Sequence, residues 1–107
     1  MAVEIGEVKL NGNARALKKK ILNRSARVGV VGLGYVGLPF AVEKARVGYK
    51  VIGIEQNPRR AEMINRGENY ILDVKDSDLY KLVAEGLIEA STDFKRVPEM
   101  DVVVICV

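Results

Sequence analysis

The sequence predicts an α/β fold with a doubly wound parallel sheet, and three observations support that prediction. Two short apolar runs, one beginning at Val28 and one ending at Glu55, flank a segment with helical periodicity. A tight glycine-rich turn lies between the first run and the helical segment. A third run, residues 102–107, is β-branched and too apolar for an exposed strand. Strand, helix and parallel strand therefore form a βαβ unit, and the third run is expected to be a central strand.

The glycine-rich turn has the G-x-G-x-x-G spacing of a dinucleotide-binding loop of the Rossmann type. The first glycine allows a sharp reversal after the strand, because it has no Cβ. The second leaves room for a pyrophosphate against the backbone, and the third lets the helix approach the strand closely. The first-turn N–H groups and the helix dipole then favour phosphate binding. The predicted contacts are Gly32, Leu33, Gly34, Tyr35, Val36 and Gly37.

An acidic residue closes the second strand. Glu55 follows Gly37 by 18 residues, near the spacing of the carboxylate that binds the adenosine ribose hydroxyls. Such a carboxylate repels a 2′-phosphate and favours NAD over NADP. Arg59 and Arg60 weaken that preference, because an arginine after this strand can also accommodate a 2′-phosphate. The alternative interpretation of Glu55 is a solvated carboxylate at a strand end.

The first 26 residues form a basic leader, and residues 27–107 form the first part of the NAD-binding domain. Residues 1–27 carry seven Lys or Arg against two acidic residues. A loose start over residues 1–13 should precede a short amphipathic helix from Ala14, with Leu17 and Ile21 on its packing side. The leader has no interleaved aromatic residues, so we expect a solvated helix face and no nucleic-acid partner.

Helix signals recur after the glycine loop. Pro39 suits the start of the first domain helix and Gly48 its end. Asn57 and Pro58 should begin a second helix, over about residues 58–66, that stops at Gly67. A loop with an extended piece over residues 70–72 follows. Asp76 or Ser77 should cap a third helix that runs to Glu85, with Leu79, Leu82 and Val83 as its apolar stripe and Gly86 as its stop.

The remaining segments complete a sheet with strand order 3-2-1-4. Residues 87–92 suit a short edge strand, and residues 93–100 a connector or short helix. The last strand should then lie beside the first, at the point where the chain reverses direction across the sheet and ligands bind. Cys106 and Val107 are therefore predicted to line the cofactor crevice. The alternative interpretation of Cys106, a small buried hydrophobe, is slightly favoured, whereas a nucleophilic role is disfavoured without a histidine partner.

Composition limits the possible functions. The 107 residues allow one domain with a modest core. No histidine is present, so the commonest general base and the commonest neutral metal ligand are absent, and no metal site is expected. One cysteine allows no internal disulfide and favours a reducing, cytoplasmic location. We expect no signal peptide and no membrane span, because no apolar run approaches the required length.

Several segments together closely resemble the UDP-glucose/GDP-mannose dehydrogenase family over residues 27–107. They are VGVVGLGYVGLPFAVEKARVGYKVIGIEQNPRR, INRGENYILDV, STDF and DVVVICV. The GLGYVGLP run and residues 67–74 are most similar to the branch that oxidises UDP-N-acetylglucosamine or UDP-N-acetylmannosamine. The resemblance implies NAD-dependent oxidation of a sugar C6 alcohol to a carboxylate through two hydride transfers.

The resemblance also implies roles for individual residues. Residues 32–37 match the family's pyrophosphate loop, Glu55 its ribose-binding acid and Arg60 its basic residue near the adenosine end. Cys106 and Val107 match the strand end beside the nicotinamide. Glu55 stands where many relatives have aspartate, and Leu72 where close relatives often have an acid.

The family's catalytic cysteine, its lysine and aspartate partners and its sugar-binding domain lie farther along the chain than residue 107. We therefore predict no catalytic residue here, no activity from these 107 residues alone, and UDP-sugar contacts only through the later parts. The family is typically dimeric, and without the family's later strands residues 102–107 form an apolar sheet edge, which predicts self-association. The alternative function is a stand-alone regulatory module that binds NAD without catalysis.

Overall fold

A computed structural model describes residues 11–107 of the protein. Most of the loose start predicted for residues 1–13 therefore lies outside the described residues. The described part contains four helices, four strands and one 3-10 helix. In chain order they are α1 (Gly12–Asn23), β1 (Arg27–Val31), α2 (Gly37–Arg46), β2 (Lys50–Ile54), α3 (Pro58–Asn65), α4 (Asp76–Ala84), β3 (Ile88–Ser91), the 3-10 helix (Phe94–Glu99) and β4 (Val102–Ile105).

The four strands form one parallel sheet in the order β3-β2-β1-β4, which confirms the predicted α/β fold and strand order. Parallel strands place their carboxyl ends at the same sheet edge, so the segments after β1, β2 and β4 meet there. β4 pairs only with β1 among the described residues and is therefore an edge strand of this sheet. Its outer side chains are open to solvent, with Val103 42% and Ile105 69% exposed.

The core lies between one face of the sheet and the helices α2, α3 and α4. Alternate residues of β1, β2 and β3 point toward it, and each helix contributes the apolar residues of one face. Because only one face of each helix is buried, its apolar residues recur with the helical period in the sequence. The opposite face carries the connector to β4, where Met100 lies over Gly29. The fully buried residues with the largest side chains are Leu33, Leu38, Ile52, Ile54, Ile64, Leu79 and Ile88.

The ends of α2, α3 and α4 and the start of α3 follow the predicted signals. Asn57 caps α3 by accepting the N–H groups of Arg59 and Arg60, and a glycine with positive φ follows each of α2, α3 and α4. The predicted cap of α4 is wrong, because Lys75 is its N-cap and makes no side-chain cap bond. Asp76 is already helical, and its carboxylate accepts a hydrogen bond from Asn69 instead.

The leader helix and the loop before α4 also differ from expectation. α1 begins at Gly12 and none of its residues is buried: on its predicted packing side Leu17 is half-buried and Ile21 is 42% exposed. Polar contacts also attach it: Lys20 pairs with Asp101 at 2.9 Å, and the Tyr49 hydroxyl donates to the carbonyl of Ile21. Residues 70–72 form no strand and lead into a turn, which Asn69 holds through bonds to backbone groups.

Candidate functional site

The glycine loop between β1 and α2 depends on two glycines for its shape. Gly32 has φ +95°, a conformation that residues with a Cβ rarely adopt, and a Cβ there would overlap the carbonyl oxygen of Cys106. A Cβ on Gly37 would overlap the carbonyl oxygen of Gly32. The close approach of α2 to the end of β1 therefore requires Gly37, as the sequence predicted.

Gly34 has a different environment, which bears on ligand binding. A Cβ added there would meet only the Arg60 side chain, whose Nη1 would be 3.9 Å away, so the backbone borders open space. The backbone N–H groups of Gly34, Tyr35, Val36 and Gly37 have no hydrogen-bond acceptor among residues 11–107. Unpaired donors at the positive end of α2 form an anion-binding arrangement. The side chains of Tyr35 and Val36 point into solvent, 73% and 67% exposed.

Glu55 lies directly after β2 and is 6% exposed, so the solvated-carboxylate interpretation is wrong. One carboxylate oxygen accepts the N–H of Leu33 at 3.0 Å, and the other accepts the N–H of Asn57 at 2.8 Å. These bonds join the end of β2 to the glycine loop and to the start of α3. A carboxylate offers about four acceptor positions, so each oxygen keeps capacity for one ribose hydroxyl.

Leu33 is the anchor of the loop. Its side chain is fully buried and packs over Gly53 of β2. Its N–H group donates to Glu55, and its carbonyl oxygen accepts the hydroxyl of Tyr70 at 2.6 Å. Both backbone groups of Leu33 are thus engaged within the protein, and its predicted contact with the cofactor stays a prediction.

Tyr70 is the residue of this site that the sequence reasoning missed. Its contact with Leu33 spans 37 residues, and no periodicity or motif signals a contact of that range. The pKa of Tyr70 is raised to about 12, first by burial and then by the negative charge of Glu55, while Arg60 acts in the opposite direction. Tyr70 therefore remains a protonated donor at neutral pH.

Arg60 connects α3 with the open side of the loop. Its guanidinium carbon lies 5.1 Å from the centre of the Tyr70 ring, a cation–π distance. Its Nη1 is also the atom nearest to the space beside Gly34. The structure thus brings the predicted basic residue to the glycine loop, with Tyr70 beneath it.

Cys106 and Val107 follow β4 and lie beside the loop. The N–H of Cys106 donates to the carbonyl of Val31 at 2.7 Å, and its half-buried side chain packs against the core. Gly32 and Gly37 both approach it closely. Val107 is fully exposed. The structure therefore places both residues at the edge of the sheet where the loop lies, and the contact of each with a cofactor stays a prediction.

No group of three or more His, Cys, Asp and Glu among residues 11–107 is arranged to hold a metal ion. No helix in that range has the length and apolar character needed to cross a membrane.

The parallel βαβ unit, the unpaired N–H groups of the glycine loop and the acid after β2 define a dinucleotide-binding domain of the Rossmann type. The chain belongs to the UDP-glucose/GDP-mannose dehydrogenase family, since residues 26–107 match the model of that family's NAD binding domain. This match confirms the resemblance and identifies NAD as the cofactor of the family's domain. The open backbone at Gly34 and the free donors around it fit a pyrophosphate.

Individual relatives agree with the family assignment. UDP-N-acetyl-D-mannosamine dehydrogenase of Escherichia coli K12 is 40% identical over 68 residues, which are 63% of this chain and 16% of the relative. The enzyme of that name from Methanococcus aeolicus is 37% identical over 91 residues, 84% of this chain and 19% of the relative. The crystal structure of NDP-N-acetyl-D-galactosaminuronic acid dehydrogenase from Methanosarcina mazei matches with a TM-score of 0.72 at 31% identity, over 92% of this chain and 22% of that one.

The chain therefore spans about a fifth or less of the length of these curated relatives. Their names describe dehydrogenases of nucleotide sugars, so the comparisons do not favour a stand-alone regulatory module.

Proposed function

We propose that these 107 residues are the NAD-binding portion of a nucleotide-sugar 6-dehydrogenase. The proposed reaction of the whole protein oxidises the C6 alcohol of a UDP-sugar to a carboxylate: two NAD molecules each accept one hydride, and water supplies the second carboxylate oxygen. The row of unpaired N–H groups over residues 34–37, next to open space at Gly34, is the observation that carries the proposal. The names of the mannosamine-type relatives support a UDP-N-acetylhexosamine as the sugar class.

Each part of the site has a proposed role in holding NAD. The N–H groups of the loop and the dipole of α2 bind the pyrophosphate. Glu55 accepts the adenosine ribose hydroxyls with its remaining lone pairs and repels a 2′-phosphate. Arg60 supplies positive charge at the adenosine side, and Cys106 and Val107 border the nicotinamide side. None of these residues is proposed to be catalytic.

Several further parts of the proposal concern the whole protein. UDP-sugar contacts and the groups that move protons come from parts of the protein outside these 107 residues. We propose a cytoplasmic location, since the single cysteine, Cys106, is free and half buried in the structure.

Calorimetric titration of the chain with NAD, NADP and UDP-sugars tests the proposal. Wild type should bind NAD, and UDP-sugars should give no heat. Gly34→Val should abolish NAD binding, because the side chain fills the space next to the pyrophosphate donors. Gly12→Val is the matched control, since Gly12 also borders open space but lies in α1. Unchanged NAD affinity in Gly34→Val would remove the phosphate-loop assignment.

A second titration separates two roles of Glu55. Its carboxylate also braces the loop through Leu33, so Glu55→Ala should weaken the binding of both dinucleotides. Only the ribose role predicts that the affinity for NADP falls less than the affinity for NAD, because the repulsion of the 2′-phosphate disappears with the charge of Glu55. An equal loss for both dinucleotides would leave the bracing role and contradict the ribose role.

We also propose that the 107-residue chain self-associates through β4. The outer edge of β4 has no paired strand among residues 11–107, and apolar side chains flank it at Val103 and Ile105. Unpaired strand edges with exposed apolar residues favour pairing with another strand. Sedimentation at increasing concentration should reveal dimers or larger species, and a monomer at all concentrations would refute this proposal.

A further inference from the structure

Tyr70 makes two contacts with the glycine loop that its position in the sequence does not explain. Its hydroxyl donates to the Leu33 carbonyl oxygen at 2.6 Å, and its ring lies under the guanidinium of Arg60. The ring is half buried and packs against the edge of the core. Tyr70 therefore joins the loop before α4 to both sides of the candidate site.

The hydroxyl contact controls the direction of a peptide group that faces the ligand space. In a planar trans peptide the C=O and the next N–H point in opposite directions. Tyr70 holds the carbonyl of Leu33, so the N–H of Gly34 points away from the tyrosine. That N–H has no acceptor among residues 11–107 and is one of the donors available to a pyrophosphate.

The same contact also affects the first turn of α2. In a continued helix the N–H of Gly37 would donate to the carbonyl of Leu33, four residues earlier. That carbonyl accepts the Tyr70 hydroxyl instead, and the N–H of Gly37 has no acceptor in the described chain. The contact of one tyrosine hydroxyl with Leu33 is thus associated with two unpaired donors, the N–H groups of Gly34 and Gly37.

The ring contact fixes a charge near these donors. Arginine side chains have several rotatable bonds, and stacking on an aromatic face restricts them. Arg60 stacks on Tyr70, and its Nη1 is the atom nearest to the open space at Gly34. The guanidinium therefore lies where it can contact a phosphate that approaches the loop.

We propose that Tyr70 is a positioning residue for cofactor binding: its hydroxyl orients the Leu33–Gly34 peptide toward the pyrophosphate, and its ring holds Arg60 beside it. The proposal rests on the proposed function, because it assumes that NAD binds at this loop. It assigns a cofactor role to a segment outside the glycine fingerprint.

The first test uses Tyr70→Phe, which keeps the ring and removes the hydroxyl. NAD affinity should fall about three- to tenfold, the range that one neutral hydrogen bond contributes. Tyr49→Phe is the matched control, because the Tyr49 hydroxyl also donates to a backbone carbonyl, that of Ile21 at 2.8 Å, away from the loop. It should lower stability without changing NAD affinity. Equal effects of the two variants on NAD affinity, or no effect of Tyr70→Phe, would overturn the proposal.

The second test separates the ring from the hydroxyl by double-mutant cycles with Arg60→Met. The fold-changes in affinity of Tyr70→Phe and Arg60→Met should multiply, because the ring remains in Tyr70→Phe. Tyr70→Leu removes the ring, so adding Arg60→Met to it should cause little further loss. Multiplication in both cycles would refute the role of the ring. Circular dichroism establishes that each variant is folded.

A ligand-free measurement distinguishes failure of this proposal from failure of the proposed function. The amide signal of Gly34 in a nitrogen–proton NMR spectrum should shift in Tyr70→Phe, because its peptide group loses a hydrogen bond. Leu72→Asp changes a fully exposed position of the loop before α4, which also contains Tyr70, and should leave the Gly34 signal in place. If wild type binds no NAD, the proposed function fails and the Gly34 signal alone decides the loop geometry. An unshifted Gly34 signal in Tyr70→Phe would overturn the proposed positioning role of Tyr70.

Discussion

Gly37→Ala and Gly34→Ala should have opposite effects on stability, although both change a glycine of one fingerprint. A Cβ on Gly37 would overlap the carbonyl oxygen of Gly32 and lie 3.3 Å from the Cβ of Cys106. The first of these contacts is with backbone, which cannot rotate away as a side chain can. A Cβ on Gly34 would meet only Arg60 Nη1, at 3.9 Å, the end of a flexible side chain.

The expected magnitudes follow from these environments. At Gly37 the overlap should cost at least the roughly 1–3 kcal/mol that is typical of overpacking. Gly37 begins α2, so its replacement returns at most about 1 kcal/mol of helix propensity, and with the backbone overlap at the upper end of that range the net loss should be about 2 kcal/mol. At Gly34 the reduced freedom of the unfolded chain should stabilise by about 0.4–1 kcal/mol. In a domain of this size each 1 kcal/mol shifts Tm by about 4–8 °C.

Urea and thermal unfolding of both variants, followed by calorimetry with NAD, provides the assay. Gly37→Ala should lower Tm, whereas Gly34→Ala should leave Tm unchanged or raise it and should weaken the binding of NAD. The two measurements together separate the role of a glycine in packing from its role in leaving ligand space. A stable Gly37→Ala, or a Gly34→Ala that unfolds early and binds NAD normally, would refute the reasoning.

Three further predictions concern the parts around the site. Arg96→Met should lower the free energy of unfolding by about 1 kcal/mol in urea denaturation. The guanidinium of Arg96 forms ion pairs with both Glu89 and Glu99, and its side chain is only 26% exposed. Asp101 has a lowered pKa, first because it accepts a backbone N–H and then because Lys20 lies beside it. Its stabilisation is therefore present above the unfolded pKa of about 3.9 and lost as pH falls through the lower folded value, so Asp101→Asn should flatten the acid side of a stability–pH profile. Val103→Lys should reduce concentration-dependent association in sedimentation, since it places charge on the exposed face of the β4 edge.

Features that short stretches of sequence determine could be predicted. The glycine loop, the Asn57 cap and the glycines that end the helices depend on backbone conformations that few residue types adopt. Strand order also followed, because the glycine fingerprint identifies the first strand of a doubly wound sheet, whose order is 3-2-1-4. The family match added the cofactor, which the spacing of Glu55 had already indicated.

Features that depend on contacts between distant segments could not be predicted. The bond from Tyr70 to Leu33 is an example, and the attachment of α1 through Lys20 and Asp101, which are 81 positions apart, is another. The cap of α4 was missed for a related reason. Asp76 has the right side chain for an N-cap, but Asn69 engages its carboxylate from the preceding loop, and the helix begins one residue earlier than the sequence signal suggests.

The anchoring of Leu33 links folding to binding. Its side chain over Gly53, its N–H on Glu55 and its carbonyl on Tyr70 fix the loop before any ligand arrives. Ordering one residue costs about 1–2 kcal/mol, and here that cost falls on folding and not on NAD binding. Substitutions at Glu55 or Tyr70 should therefore lower stability and affinity together, because they return part of that cost to the binding step. A substitution at Gly34 should lower affinity without lowering stability, since it leaves all three anchors in place.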